Sequence, residues 1–342
     1  MAAPDFYRTS LTAIDAMLKT VSRGTVREIG RSVGGRPIHA VAYGEFEPVK
    51  HAANLSSALA GRKPEAFFGE GERQKQVLLI TSAIHGGEME SIAAVLNLIS
   101  LMETGKDLRG QEWPELVASA ERLRLVIVPC LNPDGRGRIP VDDPTIWTEA
   151  EFEKYRHGLH ADGSFIRWPA CKHVHPRDPK VDGFLGGYFN DAGVNPLHGV
   201  PFSPEIAPET HAGLALAVAE TPDMLLDLHS CENGPFCIAG DRFLPQSYNW
   251  RAHYFDGFYR RALWDKMKIE PSAAGAGFEG ALTFPAACFH YSGALPLIFE
   301  GADGAHEGSR YTYAEILDSY LVLFEALMTA GVHGGFKPRM AW

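Results

Sequence analysis

The sequence predicts an α/β protein organised around a largely parallel sheet, and three features carry that expectation. Residues 77–83 (VLLITSA), 124–130 (RLVIVPC) and 295–300 (LPLIFE) are mostly apolar runs of strand length, the pattern of strands covered on both faces. Segments with helical spacing fall between them, and strands alternating with helices build parallel sheets. With 342 residues, of which 45% are hydrophobic and 22% charged, the chain has enough apolar side chains to cover both faces of such a sheet.

Taken in order, residues 6–21 place Leu11, Ile14, Met17, Leu18 and Val21 at helical spacing. Residues 25–29 and 37–43 alternate as strands do, and Gly34-Gly35 between them marks a turn. Residues 45–73 read as an irregular surface excursion. The first buried strand is followed by a helix over 89–102 and a second buried strand at 124–130. Residues 133–203, rich in Pro, Gly, Asp, His and aromatics, lack periodicity; a long loop of this kind is often functional, and here it is expected to wall a pocket. Further helices are predicted over 207–220, 248–267 and 313–329. Residues 224–229 (MLLDLH) form a strand with a sharp polar finish. Neither a repeat nor a linker interrupts the composition, so residues 1–342 are expected to form one domain.

The net charge of −10, from 32 basic and 42 acidic residues, leaves no basic footprint for nucleic acid or an anionic membrane. The opening MAAPDFYRTSLTAIDAML has no basic segment followed by an apolar run, and runs such as VLLI and LVIV are far shorter than a bilayer span. The five cysteines (Cys130, Cys171, Cys231, Cys237 and Cys288) are scattered without a CxxC pair. Reduced thiols in a cytoplasmic protein are the expectation.

The chemistry concentrates where buried strands end. His85-Gly86-Gly87-Glu88 follows the first, His229 closes residues 224–229, and Glu300 closes the last. Parallel α/β sheets bind ligands beyond the carboxyl ends of their strands. Two histidines and two carboxylates from three segments are therefore expected at one sheet edge. Zinc takes imidazole nitrogen and carboxylate oxygen, and catalytic sites use three protein ligands with one position left open. His85, Glu88 and His229 are the candidate ligands. A His-x-x-Glu pair alone is weak in a chain with 14 histidines; its position directly after a buried strand gives it weight. Asp227 shares the strand face of His229, where it could hold the imidazole or serve as a buried ion-pair partner. A glutamate ending a buried strand must be desolvated, paired or catalytic. Glu300 is the candidate general base that takes a proton from water.

The ordered set HGGE at 85–88, NPDG at 132–135, His229-Ser230 and a late strand glutamate resembles the zinc metallocarboxypeptidases, the carboxypeptidase A-like peptidases. Residues 30–44 (GRSVGGRPIHAVAYG) are similar to their opening hairpin, and the resemblance extends over roughly residues 24–327. It implies a three-layer α/β/α sandwich with a mixed, largely parallel sheet of about eight strands. It also implies one zinc ion on His85, Glu88 and His229, Glu300 as base, and hydrolysis of a peptide's C-terminal residue.

The same resemblance implies an arginine after NPDG that polarises the scissile carbonyl, for which Arg136, Arg138 and Arg167 are available. An Asn-Arg pair should bind the terminal carboxylate. Asn190 matches, whereas Asp191 stands at the arginine position with reversed charge, which suggests a substrate with an amine or an unusual linkage near the cut. Tyr188 occupies the place of an expected aspartate, which gives Asp227 more weight beside His229. The substrate-side tyrosine has Phe278, His290 and Tyr291 nearby, none of them a clear counterpart. His160, His173, His175 and His198 share no ligand spacing, and Cys231 reads as a bystander thiol.

Three functions are consistent with these residues. The leading one is a zinc-dependent peptidase or amidase acting on a peptide or amino-acid-derived substrate. The second is an N-acyl amino acid deacylase of the aspartoacylase or desuccinylase type. The third is a non-catalytic binding module on the same fold.

Overall fold

The computed structural model describes residues 3–49, 53–68, 73–140, 148–172, 177–178, 180–200, 206–271, 282–303 and 310–338. The predicted buried strands form its middle layer. Strands β1 (Thr25–Arg31), β2 (Pro37–Tyr43), β3 (Val77–Ser82) and β4 (Arg124–Val128) are followed by a small ribbon of β5 (Gly158–Leu159) and β6 (Phe184–Leu185). Then come β7 (Met224–Cys231), β8 (Phe236–Ile238) and β9 (Leu295–Ala302). The main sheet has seven strands among the described residues, against about eight expected, in the order β1-β2-β4-β3-β7-β9-β8. Its centre, β4-β3-β7-β9, is parallel. The hairpin β1-β2 on one side and β8 on the other are antiparallel.

Eleven helices are described: α1 (Leu11–Leu18), α2 (Leu55–Ala60), α3 (Glu65–Phe68), α4 (Glu90–Thr104), α5 (Pro114–Glu121), α6 (Pro133–Gly137), α7 (Glu149–Arg156), α8 (Pro208–Glu220), α9 (Gln246–Met267), α10 (Phe284–Ser292) and α11 (Tyr313–Gly334). Strand side chains alternate between faces, which divides the core in two. Leu78, Ile80, Leu226, Leu228, Leu297 and Phe299 pack with α4, α5, α9 and α11. Leu79, Leu225 and Val126 pack with α8 and α10. The result is the expected three-layer sandwich. Helix α11 is long and apolar enough to cross a membrane by composition, yet 72% of that stretch is buried inside the protein, against α9, α5 and α4.

Several elements depart from expectation, α5 among them. Helix α10 has the sequence FPAACFHYS and buries seven of its nine residues, so it has no polar stripe to betray a helical period. Residues 45–73 contain α2 and α3 rather than irregular chain alone. Residues 133–203 hold α6, α7 and the β5-β6 ribbon. Strand β8 is only three residues long, below the length at which alternation is legible.

The register places the site. Going from β3 to β4 and then to β7, the chain adds strands on opposite sides of β3, which makes the carboxyl end of β3 a switch point of the kind where α/β sheets bind ligands. Thr81 pairs with Asp227, Asp227 with Ile298, and His229 with Glu300. In-register partners project to the same face. Asp227, His229 and Glu300 therefore share the face that α8 and α10 cover, at its carboxyl end.

Candidate metal centre and cleft

Past Ser82 the chain turns into the HGGE segment through Ala83, whose φ of 51° is a conformation L residues seldom adopt. It is held there by Ser91, whose hydroxyl lies 3.2 Å from the Ala83 N–H, and by Asn132, whose N–H donates to the Ala83 carbonyl at 3.0 Å. Neither Gly86 nor Gly87 lies in the left-handed region. Gly86 is required by close approach instead: a Cβ there would sit 2.1 Å from the Arg136 nitrogen and 2.4 Å from the Gly135 carbonyl carbon. HGGE and NPDG thus touch backbone to backbone, which explains two motifs through one contact.

His85, Glu88 and His229 are buried, and their ligand atoms all lie within 4.8 Å of one another; they form the one such group among the described residues. Glu88 bridges the two imidazoles. Its Oε1 is 2.9 Å from His85 Nδ1 and its Oε2 is 2.8 Å from His229 Nδ1. The outer ring nitrogens are each assigned by their partners. His85 Nε2 is 3.2 Å from Asn195 Oδ1. That atom is the carbonyl oxygen of the amide, because it also accepts the Leu197 N–H at 3.1 Å; His85 Nε2 must therefore carry the proton. His229 Nε2 donates to Asp227 Oδ2 at 3.0 Å, and Asp227 Oδ1 accepts the Thr81 hydroxyl at 2.6 Å. Both histidines thereby turn Nδ1 toward Glu88.

Electrostatics follow from burial and these partners. Burial lowers the His85 pKa to about 4, so this ring is neutral. Burial works against charge on His229 too, but Glu88 and Asp227 together hold its pKa well above the ordinary value. Burial would raise Glu88, yet the two imidazoles pull it well below the carboxylate range. Burial pushes Glu300 up, partly offset by His229. The donor set fits a divalent cation: with the His85 proton on Nε2, toward Asn195, an Nδ1 lone pair faces a Glu88 oxygen, and a cation between these two acceptors would relieve their contact.

Further contacts fix the centre in place. Tyr188 stacks on His85 with ring centroids 3.8 Å apart and planes within 10°. The hydroxyl of Tyr320 donates to the His229 carbonyl at 2.7 Å. Arg156, buried, lies 3.6 Å from Glu88 and bonds Asp303 and the Ser230 carbonyl. Ser230 donates to Glu90 at 2.7 Å; burial and the nearby Asp303 raise the Glu90 pKa to about 7.

An open cleft leads to this centre. His85, Glu88, His229 and Glu300 line it together with Lys172, Tyr188 and Asp241, and with apolar Leu197, Ile238, Leu244 and Ala286. Several predicted site residues lie elsewhere. Arg136 is buried and donates to the Thr9 carbonyl at 2.8 Å and to the Ile139 carbonyl at 3.3 Å. Arg138 donates to the carbonyls of Leu185, Gly186 and Phe189 and to Asp191. Arg167 is exposed over the Phe165 ring. Asn190 is buried: its amide donates to Glu209 and its oxygen accepts the N–H groups of Ala192 and Val194. Asp191, expected to face substrate, is instead clamped by Arg36 at 2.8 Å and Arg138 at 2.6 Å; two cations hold its carboxylate below the usual range despite partial burial.

Among the residues near the position of a substrate-side tyrosine, His290 bonds the Phe243 carbonyl and Tyr291 is exposed. Phe278 lies outside the described residues, as do His173 and His175. Cys231 points to the side of His229, its thiol pushed up by burial and by Glu300. Reading the sequence alone missed Lys172, Asn195 and Asp241, none of which sits in a periodic segment.

Three buried donors and a carboxylate base candidate at one sheet edge are the equipment of a metal-dependent hydrolase. Residues 12–161 match the model of the zinc carboxypeptidase family, a stretch that includes HGGE and NPDG but neither His229 nor Glu300. The fold of the whole chain agrees. It is similar to a metallo-carboxypeptidase from Burkholderia cenocepacia (20% identity, TM-score 0.59, covering 94% of this chain and 70% of that one). It is also similar to the carboxypeptidase A from Helicoverpa armigera (16% identity, TM-score 0.58, 97% and 75%). A third likeness is to a metallo-carboxypeptidase from Pseudomonas aeruginosa (15% identity, TM-score 0.56, 94% and 69%). No curated protein matches.

Proposed function

We propose that this protein is a zinc-dependent hydrolase that cuts a peptide or amide bond in a small peptide or amino-acid derivative, with one zinc ion held by His85, Glu88 and His229. The observation that carries the reading is the cage itself: two imidazoles whose outer nitrogens are bound elsewhere, both turning Nδ1 onto one carboxylate. Zinc, when bound, supplies the Lewis acid that polarises the scissile carbonyl and lets water attack near neutral pH.

Glu300 does the proton work. It sits beside His229 in strand register and lines the same cleft. Burial raises its basicity above that of an ordinary carboxylate, which suits a group that must take a proton from attacking water. The same carboxyl group then gives that proton to the nitrogen of the leaving amine, and Glu300 returns to its starting state. Tyr188 holds the His85 ring by stacking. Leu197, Ile238, Leu244 and Ala286 offer an apolar wall to the substrate and exclude water.

The test is a zinc-loaded digest of a peptide library together with a panel of N-acyl amino acids, run with wild type and Glu300→Gln. Hydrolysis of at least one class, reduced by roughly 10²- to 10⁴-fold in Glu300→Gln with zinc content unchanged, is expected. Wild type and Glu300→Gln behaving alike on every substrate would contradict the reading and favour a binding module. Cleavage confined to the acyl-amino acids would mark a deacylase.

A further inference from the structure

We propose that this chain forms a two-fold symmetric dimer in solution through the outer face of α9, two copies of the helix crossing antiparallel at Gly257. The surface is separate from the catalytic apparatus: none of its residues lines the cleft.

Helix α9 (Gln246–Met267) is apolar on two sides. Tyr248, Ala252, Phe255, Tyr259 and Leu263 form its buried side and pack with α11 and the sheet. The opposite side carries Trp250, Tyr254, Phe258 and Trp264, exposed at 65%, 42%, 44% and 50%. Spacings of three and four residues place these rings in one stripe, with Gly257 and Arg261 between them. Single exposed apolar residues are ordinary, whereas a contiguous aromatic group marks an interaction surface. An aromatic side chain covers about 150–250 Å² when buried, so at these exposures the stripe offers roughly 400 Å². A stable interface of standard size takes about 800 Å² from each partner, a little over half of it apolar. The stripe supplies that apolar share.

Two observations select a second copy of this chain as the occupant. The first is Gly257. Glycine weakens a helix interior, and nothing inside the chain calls for one here: its φ is not in the left-handed region, and a Cβ would meet no atom within 4 Å. It sits in the middle of the exposed stripe, where a missing side chain lets another backbone approach closely. The second is symmetry. Trp250 and Trp264 lie seven residues before and after Gly257, the interval that keeps a seam on one side of a helix. Each is about 10.5 Å along the axis from the glycine. A two-fold axis at Gly257 therefore sets Trp250 of one protomer against the partner's Trp264 on both sides of the crossing. The face is complementary to itself, as a two-fold contact requires. The same operation brings Arg261 of one protomer to the partner's Tyr254, a cation–π arrangement. Charge does not oppose the contact: Arg261 and Asp265 pair within the helix at 2.6 Å, so the middle of the stripe adds nothing to the chain's net charge of −10.

Sedimentation velocity and light scattering on the zinc-loaded full-length protein test the dimer. A monomer–dimer equilibrium with a dissociation constant of about 10 µM or tighter is expected, the weak end for an interface of this size. Gly257→Leu puts a side chain at the crossing, where its Cβ meets nothing within the chain, and the double variant Trp250→Ser, Trp264→Ser removes the flanking pairs. Each should weaken the dimer by at least about tenfold. Thermal unfolding in dilute solution should stay the same or, for Gly257→Leu, move up, which separates a lost interface from a lost fold. Mild oxidation reads the orientation on a non-reducing gel, with wild type, whose cysteines are buried or partly buried, as background. Gly257→Cys should link to its own copy. Trp250→Cys alone should not, because the crossing holds the two copies of residue 250 about 21 Å apart; an equal mixture of Trp250→Cys and Trp264→Cys should link. A wild type that stays monomeric up to about 100 µM, well above that range, overturns the proposal. So does a dimer that survives both Gly257→Leu and the double serine variant, or self-linking of Trp250→Cys.

Discussion

Replacing Asp227 by asparagine isolates one charge behind the metal cage. Asp227 is fully buried and touches His229 Nε2 at 3.0 Å and the Thr81 hydroxyl at 2.6 Å. The asparagine amide can present its oxygen to His229 and its NH₂ to the Thr81 oxygen, so geometry and tautomer survive while the charge is lost. A charge-assisted hydrogen bond contributes roughly 1.5–3 kcal/mol and a neutral one about 1 kcal/mol. The difference, about 0.5–2 kcal/mol, corresponds to a loss of roughly 2- to 30-fold in zinc affinity, overlapping the span usual for the partners of metal-bound histidines. Asp227→Leu removes the acceptor as well and leaves a buried ring N–H unbonded, so its loss should exceed about 100-fold. Competition against a chromophoric chelator at pH 7 measures both. If Asp227→Asn binds zinc within twofold of wild type, the carboxylate does not orient His229 and the tautomer argument fails.

Two other expectations follow from the same geometry. His229 is held protonated in the metal-free protein by Glu88 and Asp227, so zinc must displace a proton from Nδ1. Below the raised pKa of His229, affinity should fall as pH falls, by up to about tenfold per pH unit; calorimetry in buffers of different ionisation enthalpy should report about one proton released at pH 7, and zero would contradict the assignment. Gly86→Ala would press a methyl group against the backbone of residues 135–136, which cannot yield as a side chain can. A stability loss of about 3 kcal/mol or more is expected in denaturant unfolding, and a change under about 1 kcal/mol would show that the two motifs are not in contact.

Much of the sheet was legible because its central strands are buried on both faces and so read as unbroken apolar runs. Their polar ends were legible for the same reason: a histidine or glutamate closing LLDL or LPLIF interrupts a pattern that burial imposes. What sequence could not supply was strand order. The pairing of His229 with Glu300 depends on β9 lying beside β7, separated from it by more than sixty residues of chain.

The substrate-facing residues were harder. Asp191 was read as a reversed charge facing substrate because no local pattern announces that Arg36, 155 residues away on the opening hairpin, reaches over to claim it. Asn190 and Arg138 matched motif positions, yet backbone groups and Glu209 consume their hydrogen bonds. Lys172 and Asn195 sit in a stretch whose short turns carry no period, so nothing in their surroundings set them apart.

The central claim is that three distant segments grip one cation. Anomalous diffraction at the zinc absorption edge, on crystals of the zinc-loaded full-length protein, tests it most directly. A single peak is expected among His85, Glu88 and His229, with bonds of about 2.0–2.2 Å to each imidazole nitrogen and to the Glu88 carboxylate. A peak elsewhere, or density at that site showing the two imidazoles and Glu88 bonded only to one another at saturating zinc, would contradict the account.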